Sequence, residues 1–377
     1  MTQWSFHNPV RVHVAPLSTL PALLHGDGDL LLVVSRGFRT RGGVERIEQL
    51  VRGRRMYVVD DVPANPGLED VEQRLAALSS AAIGEVLAIG GGSVMDAAKI
   101  LATGLDGVSP RRHLFEGLPL PSRRRTRLLC VPTTAGSGSE VTPFATVWDH
   151  EAKKKYSIAG DAMYPDAALL DAELTLTLPE EVRVSTALDA MTQAFEATWS
   201  RRANPISTSF AVSALRISLH TIVTMEQRPD DLALRRAMLE ASLLAGLAIS
   251  HTRTALCHSI SYPLTAHLGV PHGYACTFTL PEVFAFNRAA DEPRFEQLAS
   301  ALGFASATAV QNRVAELLDV LSVGERLRHY VDDAGAVAAL VPEMLTPGRA
   351  DNNIREAALD DVQSIVASAC RRMGLRP

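Results

Sequence analysis

EVLAIGGGSVMDAAK, residues 85–99, is the stretch that decides the fold. An apolar run at 86–89 enters Gly90, Gly91 and Gly92, and a helical pattern begins at Ser93. Consecutive glycines let a backbone turn sharply and approach a ligand closely. A helix start adds unpaired N–H groups and the positive end of its dipole, which together suit a pyrophosphate. Ser93, with Asp96 three residues on, matches a capping box. The stretch is neither GxGxxG nor GxxxxGK(S/T). On its own it reads equally well as a tight strand-to-helix turn with no ligand.

Working outward, short β-forming runs at 30–35, 56–60, 86–89 and 128–131 alternate with helical patterns at 43–52, 67–82 and 93–105. Apolar strands alternating with helices predict a parallel sheet covered on both faces. Further apolar pieces at 144–148 and 167–170 fit the tail of this region. After Pro179 strand-like runs nearly vanish. Ala/Leu-rich helical patterns take over at 180–200, 205–225, 231–250, 255–268, 274–287, 293–303 and 307–319. The chain therefore divides into an α/β domain, 1–178, and an all-helical domain, 179–377.

Composition narrows the function classes. The 377 residues are 47% hydrophobic and 21% charged, an ordinary globular balance. A net charge of −5 excludes a globally basic nucleic-acid binder. Only 5% of residues are aromatic, so the core must be mostly Ala, Leu and Val. The four cysteines form no CxxC pair, which argues against a disulfide framework or a Cys-rich zinc site. No signal peptide is apparent at the N-terminus. The apolar stretches read as shorter than the ~20 residues needed to cross a bilayer. A cytoplasmic protein with no nucleic-acid or membrane partner is the expectation. The basic run SRRRTR at 122–127 reads as a solvated loop.

A second turn rich in small residues, VPTTAGSGSEVT at 131–142, follows the next strand. Thr133, Thr134, Ser137 and Ser139 supply hydroxyls there. Two such loops after neighbouring strands would meet over the carboxyl ends of the sheet, where open α/β folds bind ligands. In the helical half, Val184, Leu188, Met191 and Phe195 make one apolar stripe. Asp189, Gln193 and Glu196 lie opposite, which suits either a solvated face or a ligand face. LCHSISYPLTAHLGVPHG at 256–273 contributes His258, His267 and His272. A carboxylate with two imidazoles is a reasonable start for a divalent-metal site, although loop or core histidines are the plainer reading.

Together, GGGSVMDAAK, PTTAGSGSEVT, the DAMTQ helix at 189–193 and the His258 to Gly273 stretch resemble the iron-containing (group III) alcohol dehydrogenase superfamily. The resemblance implies a dehydroquinate-synthase-like two-domain fold. A Rossmann-like domain would bind the nicotinamide nucleotide, a helical domain would hold metal and substrate, and a catalytic cleft would lie between. It implies hydride exchange between NAD(P)H and a small aldehyde or alcohol on Fe2+ or Zn2+, in a homodimer. By position, Gly91, Gly92, Ser93 and Asp96 match the pyrophosphate loop. Thr133 and Thr134, with Ser137 beside them, match the second cofactor loop. Lys155 matches a lysine near the ribose, and Asn65-Pro66 resembles a turn by the adenosine. Asp189, His258 and His272 match three metal ligands, and Gln193 stands where the family has a histidine. Tyr262 stands where the family has a second histidine that helps relay the proton, and its hydroxyl could take that role or simply hold the cofactor. Arg36 stands where the family often has an acid, which suits the 2′-phosphate of NADPH over NADH.

FEATWSRRANPIS (195–207), HTRTALCHSISYPLT (251–265) and VPHGYACTFTLP (270–281) look closest to the phosphonoacetaldehyde reductases of phosphonate and antibiotic biosynthesis. Arg253, one to two helical turns before His258, could fork onto a phosphonate, or instead cap a helix or pair with a carboxylate. Arg201 and Arg202 are weaker candidates. Maleylacetate or simple alcohol substrates would use the same machinery. A dehydroquinate-synthase-like lyase and a non-catalytic nucleotide-binding relative are the readings from other classes.

Overall fold

The computed structural model describes residues 4–25 and 27–377. The chain forms two units, Asn8–Thr177 and Leu178–Pro377, the latter joined by Trp4–His7. In the first unit the strands are β1 (Arg11–Val14), β2 (Asp29–Ser35), β3 (Met56–Val62), β4 (Ile83–Gly90), β5 (Arg127–Pro132), β6 (Phe144–Asp149), β7 (Lys154–Ala159) and β8 (Ala167–Leu170). Six of them make one parallel sheet in the order β1-β8-β5-β4-β2-β3. β6 and β7 pair antiparallel as a separate ribbon.

Both sheet faces are covered, which is why β2, β4 and β5 read as continuous apolar runs rather than alternating ones. Leu31, Val33, Val86, Ala88, Leu128 and Cys130 join one core. Leu30, Leu32, Val34, Leu87, Ile89, Leu129 and Val131 join the other. The chain leaves β2 for β3 on one side and returns for β4 on the other. The β2/β4 gap is therefore the switch point, where open sheets bind ligands beyond the carboxyl ends of the strands. Ser35-Arg36 and the triple glycine stand at those two ends.

The helix after the glycines, Gly92–Leu105, is buried almost all round. Lys99 is fully buried, and its Nζ donates to Thr142 O (2.9 Å), Thr142 Oγ1 (3.1 Å) and Phe144 O (2.9 Å). It rivets the second glycine-rich loop to the first helix. Burial still holds the ammonium's pKa below its usual value.

Glu140, in the same loop, is buried with Oε1 unpaired, and loss of solvent lifts its carboxyl from 4.5 to about 7. Between those two values the folded chain keeps a proton that the unfolded chain releases, so this group costs stability as pH rises through 7. The full cost is on the order of 3 kcal/mol. Glu140→Gln is expected to raise the melting temperature at pH 8 and leave it nearly unchanged at pH 5. Equal shifts at both pH values would count against an ionising Glu140.

The sequence readings missed β1, a short and mostly exposed strand at the sheet edge, and β7, the half-buried second strand of the ribbon. The basic run at 122–127 is not simply solvated. Arg124 is buried, and its guanidinium donates to the carbonyls of Ala162, Thr126 and Tyr164.

In the helical unit, Glu180–Trp199, Pro205–Gln227 and Leu232–Thr252 form the core layer. Pro205–Gln227 is long and apolar enough to cross a membrane by length and composition, contrary to the sequence expectation. Its buried face packs on the other two helices through Ser207, Ala211, Ala214 and Ser218. The stretch 274–287 is two helices, His272–Thr277 and Leu280–Arg288, rather than one. Pro281 lacks an N–H and sits in the first turn of the second, so it starts a helix instead of continuing one. The scarce aromatics are concentrated. Trp199 stacks on Phe295 (5.6 Å) and meets Phe195 and Phe284 at 5.9 Å.

Candidate functional site

In the α/β unit the two small-residue loops interlock. Thr133 N donates to Gly90 O (2.9 Å). A Cβ on Gly91 would lie 3.2 Å from Thr134 Oγ1, and one on Gly92 would lie 2.6 Å from Ser137 Oγ. Asn65 adopts a left-handed φ of 58°, and its N–H donates to Ser93 Oγ (3.3 Å). Asn65, Gly91, Gly92, Ser93, Thr134 and Ser137 are thus brought to one place at the carboxyl ends of β4 and β5.

The expected capping box does not form. Gly91 is the N-cap of Gly92–Leu105, and no side chain caps it. Asp96 instead accepts from Ser139 Oγ (2.6 Å) and Thr146 N (2.7 Å), tying the second loop and β6 to the helix. The uncapped helix start beside packed glycines fits a phosphate ligand. Lys155 lies on β7 with Nζ 5.8 Å from the Trp148 ring centroid, apart from this cradle in sequence and strand. Arg36 is exposed at the end of β2, next to Ser35, which caps the short helix that follows.

In the helical unit the face opposite the apolar stripe of Glu180–Trp199 is not solvated. Asp189, Gln193 and Glu196 are all buried. Glu196 receives Ala255 N (2.8 Å), Cys257 N (2.6 Å) and His258 N (3.2 Å), so it satisfies the orphan donors at the start of Leu256–Leu268. Its Oε2 also lies 2.6 Å from His258 Nδ1. That contact turns His258 Nε2 toward Asp189 Oδ1, 3.2 Å away. Burial opposes charge on this imidazole, but the Glu196 and Asp189 carboxylates on either side win and hold its pKa up at about 10.

His272 packs edge-on to His258 with ring centroids 5.3 Å apart. One donor atom from each of Asp189, His258, His272 and Cys276 falls within 4.8 Å of all the others. Metal–ligand bonds of about 2.0–2.3 Å need a cage of this size. Gln193 Oε1, one helical turn after Asp189, is buried with no hydrogen-bond partner. A carboxylate, two imidazoles, a thiol and an orphaned carbonyl oxygen fit a borderline divalent ion such as Fe2+ or Zn2+. His267 is outside the group and pairs with Glu343 (2.9 Å).

Tyr262 stacks on His272 at 6.2 Å, and its phenol oxygen accepts from Arg349 Nε (3.1 Å). Arg253 is half-buried, and burial with the nearby charges of Arg349 and Arg202 pushes its pKa down. Its backbone sits at φ 59°, ψ 178°, a region nearly reserved for glycine. Asn352 Nδ2 pins the carbonyls on both sides, Thr252 O (2.8 Å) and Thr254 O (2.9 Å). Arg202, Arg253 and Arg349 have no ion pair among the described residues. Sequence reading missed Glu196 as the orienting group, Cys276 and Arg349. The spacing of four between His272 and Cys276 could have flagged Cys276, whereas nothing local marks Arg349.

Two family models match the chain: iron-containing alcohol dehydrogenase over residues 9–172, and the C-terminal part of the Fe-containing alcohol dehydrogenase family over residues 183–370. A phosphonoacetaldehyde reductase of Streptomyces viridochromogenes is 37% identical over 68% of this chain and 66% of its own length. A probable alcohol dehydrogenase, EutG, of Escherichia coli is 34% identical over 81% of this chain and 77% of its own. The sulfoacetaldehyde reductase of Bifidobacterium kashiwanohense, solved with NAD+, superposes with a TM-score of 0.90 at 28% identity, covering 98% of this chain and 99% of that one. With both halves matched and the glycine loops and buried donor cluster in place, the chain belongs to the iron-containing alcohol dehydrogenase family of NAD(P)-linked oxidoreductases.

Proposed function

We propose that this protein is a metal-dependent reductase of a small anionic aldehyde, phosphonoacetaldehyde or a close phosphonate relative, which it converts to the primary alcohol. The arginine group carries this reading. Arg253 forms no ion pair among the described residues and sits in the field of two like charges, Arg349 and Arg202, while Arg349 donates to Tyr262 and has Glu196 and Asp351 as its counter-charges. An unpaired, partly desolvated guanidinium such as that of Arg253 is costly unless a ligand supplies the counter-charge, and its fork geometry suits phosphonate oxygens. Likeness to reductases of phosphonoacetaldehyde and sulfoacetaldehyde supports the same class, since both substrates join an aldehyde to a strong acid group.

Asp189, His258 and His272 would hold the divalent ion, and the cradle around Gly91, Gly92, Thr133 and Thr134 would hold the nucleotide. When bound, these groups supply Lewis-acid polarisation of the substrate oxygen and a hydride. With the ion bound in place of the Nε2 proton, Glu196 would hold the remaining His258 proton on Nδ1. Arg349 donates to the Tyr262 oxygen and so orients the phenol as a candidate proton donor to the substrate oxygen. Arg253 and Arg349 fix the acidic tail and thereby orient the carbonyl.

Comparing phosphonoacetaldehyde, maleylacetate and butyraldehyde as substrates tests this reading. The highest kcat/KM is expected for phosphonoacetaldehyde, and a preference for butyraldehyde would overturn it. NADPH is the proposed reductant. Arg36 is exposed at the switch point, while Asp60, the acid at the neighbouring strand end, is taken by Arg39 (2.8 Å). Arg36→Ala is expected to lower kcat/KM for NADPH roughly tenfold and to leave NADH almost unaffected, as loss of one charged contact would. A wild-type enzyme that favours NADH would refute this.

A further inference from the structure

We propose that Cys276 is a metal ligand in this chain, so that its divalent ion sits in a set of one carboxylate, two imidazoles and one thiolate. This rests on reading the buried cluster as a metal site. Three observations support it. First, the Cys276 Sγ is one of the four donor atoms that fall within 4.8 Å of each other, and it points at Asp189 Oδ1 from 3.7 Å. Second, the thiol is placed by rigid packing. Cys276 lies one turn after His272 on the helix His272–Thr277, so both side chains share one face. A Cβ on Gly273 would fall 1.7 Å from Ser185 O, so only a glycine lets this helix press directly on the backbone of Glu180–Trp199. Thr277 Oγ1 locks the contact, bonded to Gly273 O (2.6 Å), Thr192 Oγ1 (2.8 Å) and Leu188 O (3.3 Å). Asp189 and Cys276 therefore meet across two helices that cannot slide apart. Third, the other candidate for the fourth position, Gln193, offers only a neutral oxygen.

Charge bookkeeping favours the thiolate. Asp189 and a Cys276 thiolate together balance a divalent ion within the ligand set, while the buried Glu196 carboxylate behind His258 lies in the field of Arg349. On binding, the Cys276 S–H bond breaks, a sulfur–metal bond forms and one proton leaves to solvent. No electrons are transferred. The expected occupant is a borderline metal, Zn2+, Fe2+ or Co2+, since Mg2+ and Ca2+ prefer an all-oxygen shell.

X-ray absorption on the zinc-loaded full chain reads the ligand set directly, without reference to turnover. One sulfur scatterer at about 2.3 Å is expected, among nitrogen and oxygen neighbours at about 2.0–2.2 Å. The cobalt-loaded protein should show a near-ultraviolet sulfur-to-cobalt charge-transfer band, absent from Cys276→Ser and retained in Cys370→Ser. Cys276→Ser should also release the ion roughly tenfold or more faster to a chelator. Stoichiometric metal bound by nitrogen and oxygen alone would overturn the thiolate and leave the metal site standing. Failure to bind zinc or cobalt at all would overturn both.

Discussion

Asp189→Ala and His258→Ala are each expected to strip the protein of its divalent ion and to cut kcat/KM by roughly a thousandfold or more, about 4 kcal/mol of transition-state stabilisation. The size follows from the geometry. Asp189 is the sole carboxylate among the four clustered donors, and His258 is the donor whose orientation the protein has fixed most firmly. Deleting Asp189 leaves His258 still held by Glu196, and the backbone caps that Glu196 provides survive, so the fold should persist. Metal content by elemental analysis and steady-state rates decide the matter together. A metal-free Asp189→Ala protein that turns over at the wild-type rate would refute metal dependence. Glu196→Gln offers a graded comparison. It keeps one acceptor for the Cys257 and His258 amides but puts an NH2 where Oε2 accepts from Ala255 N and faces His258 Nδ1, so a partial loss of metal affinity, roughly 10–100-fold, is expected.

The sequence carried the architecture well because the signals were local. Strands at 30–35, 86–89 and 128–131 are buried on both faces and announce themselves as unbroken apolar runs, while the edge strand at 56–62 is only partly buried and was read from its β-forming residues. β1 and β7 did not stand out, because a strand paired on one side only and partly open to solvent need not be apolar. The capping box failed for a related reason. Ser93 and Asp96 have the right spacing, but Asp96 found stronger partners in Ser139 and Thr146, about forty to fifty residues away. No pattern within one helix could reveal that.

The donor cluster divides the same way. Asp189, His258 and His272 stood out by chemical type and by family motif. Glu196 looked like one more polar residue on a helix, and its task depends on where the start of another helix, Leu256–Leu268, is docked. Arg349 lies in the late stretch after Met344, in which no element was predicted. That stretch is fastened to the Leu256–Leu268 helix by Ser259 Oγ, which donates to Met344 O (2.6 Å) and accepts from Thr346 N (2.7 Å). Side chains recruited by such long-range docking become visible only once the chain is folded.

Arg253 and Arg349 should separate charged from neutral substrates. Each guanidinium that pairs with a phosphonate oxygen contributes about 1.5–3 kcal/mol, so Arg253→Ala is expected to raise KM for phosphonoacetaldehyde roughly 10–100-fold. For butyraldehyde, which has no acidic tail, the same variant should change KM less than about twofold. Arg349→Ala carries a second consequence, because this side chain also donates to Tyr262. It should raise KM for the anionic aldehyde and lower kcat for both substrates, whereas Tyr262→Phe should lower kcat alone. The strained backbone at Arg253 sharpens the contrast. Holding a non-glycine residue at φ 59°, ψ 178° costs about 1–3 kcal/mol, which Arg253→Gly would relieve. Arg253→Gly is therefore expected to melt no lower than the wild type while showing the same KM defect as Arg253→Ala. Such a variant would separate the cost of the conformation from its use. If Arg253→Ala weakens both aldehydes equally, the guanidinium is shaping the site rather than reading the substrate's charge, and the anionic assignment fails.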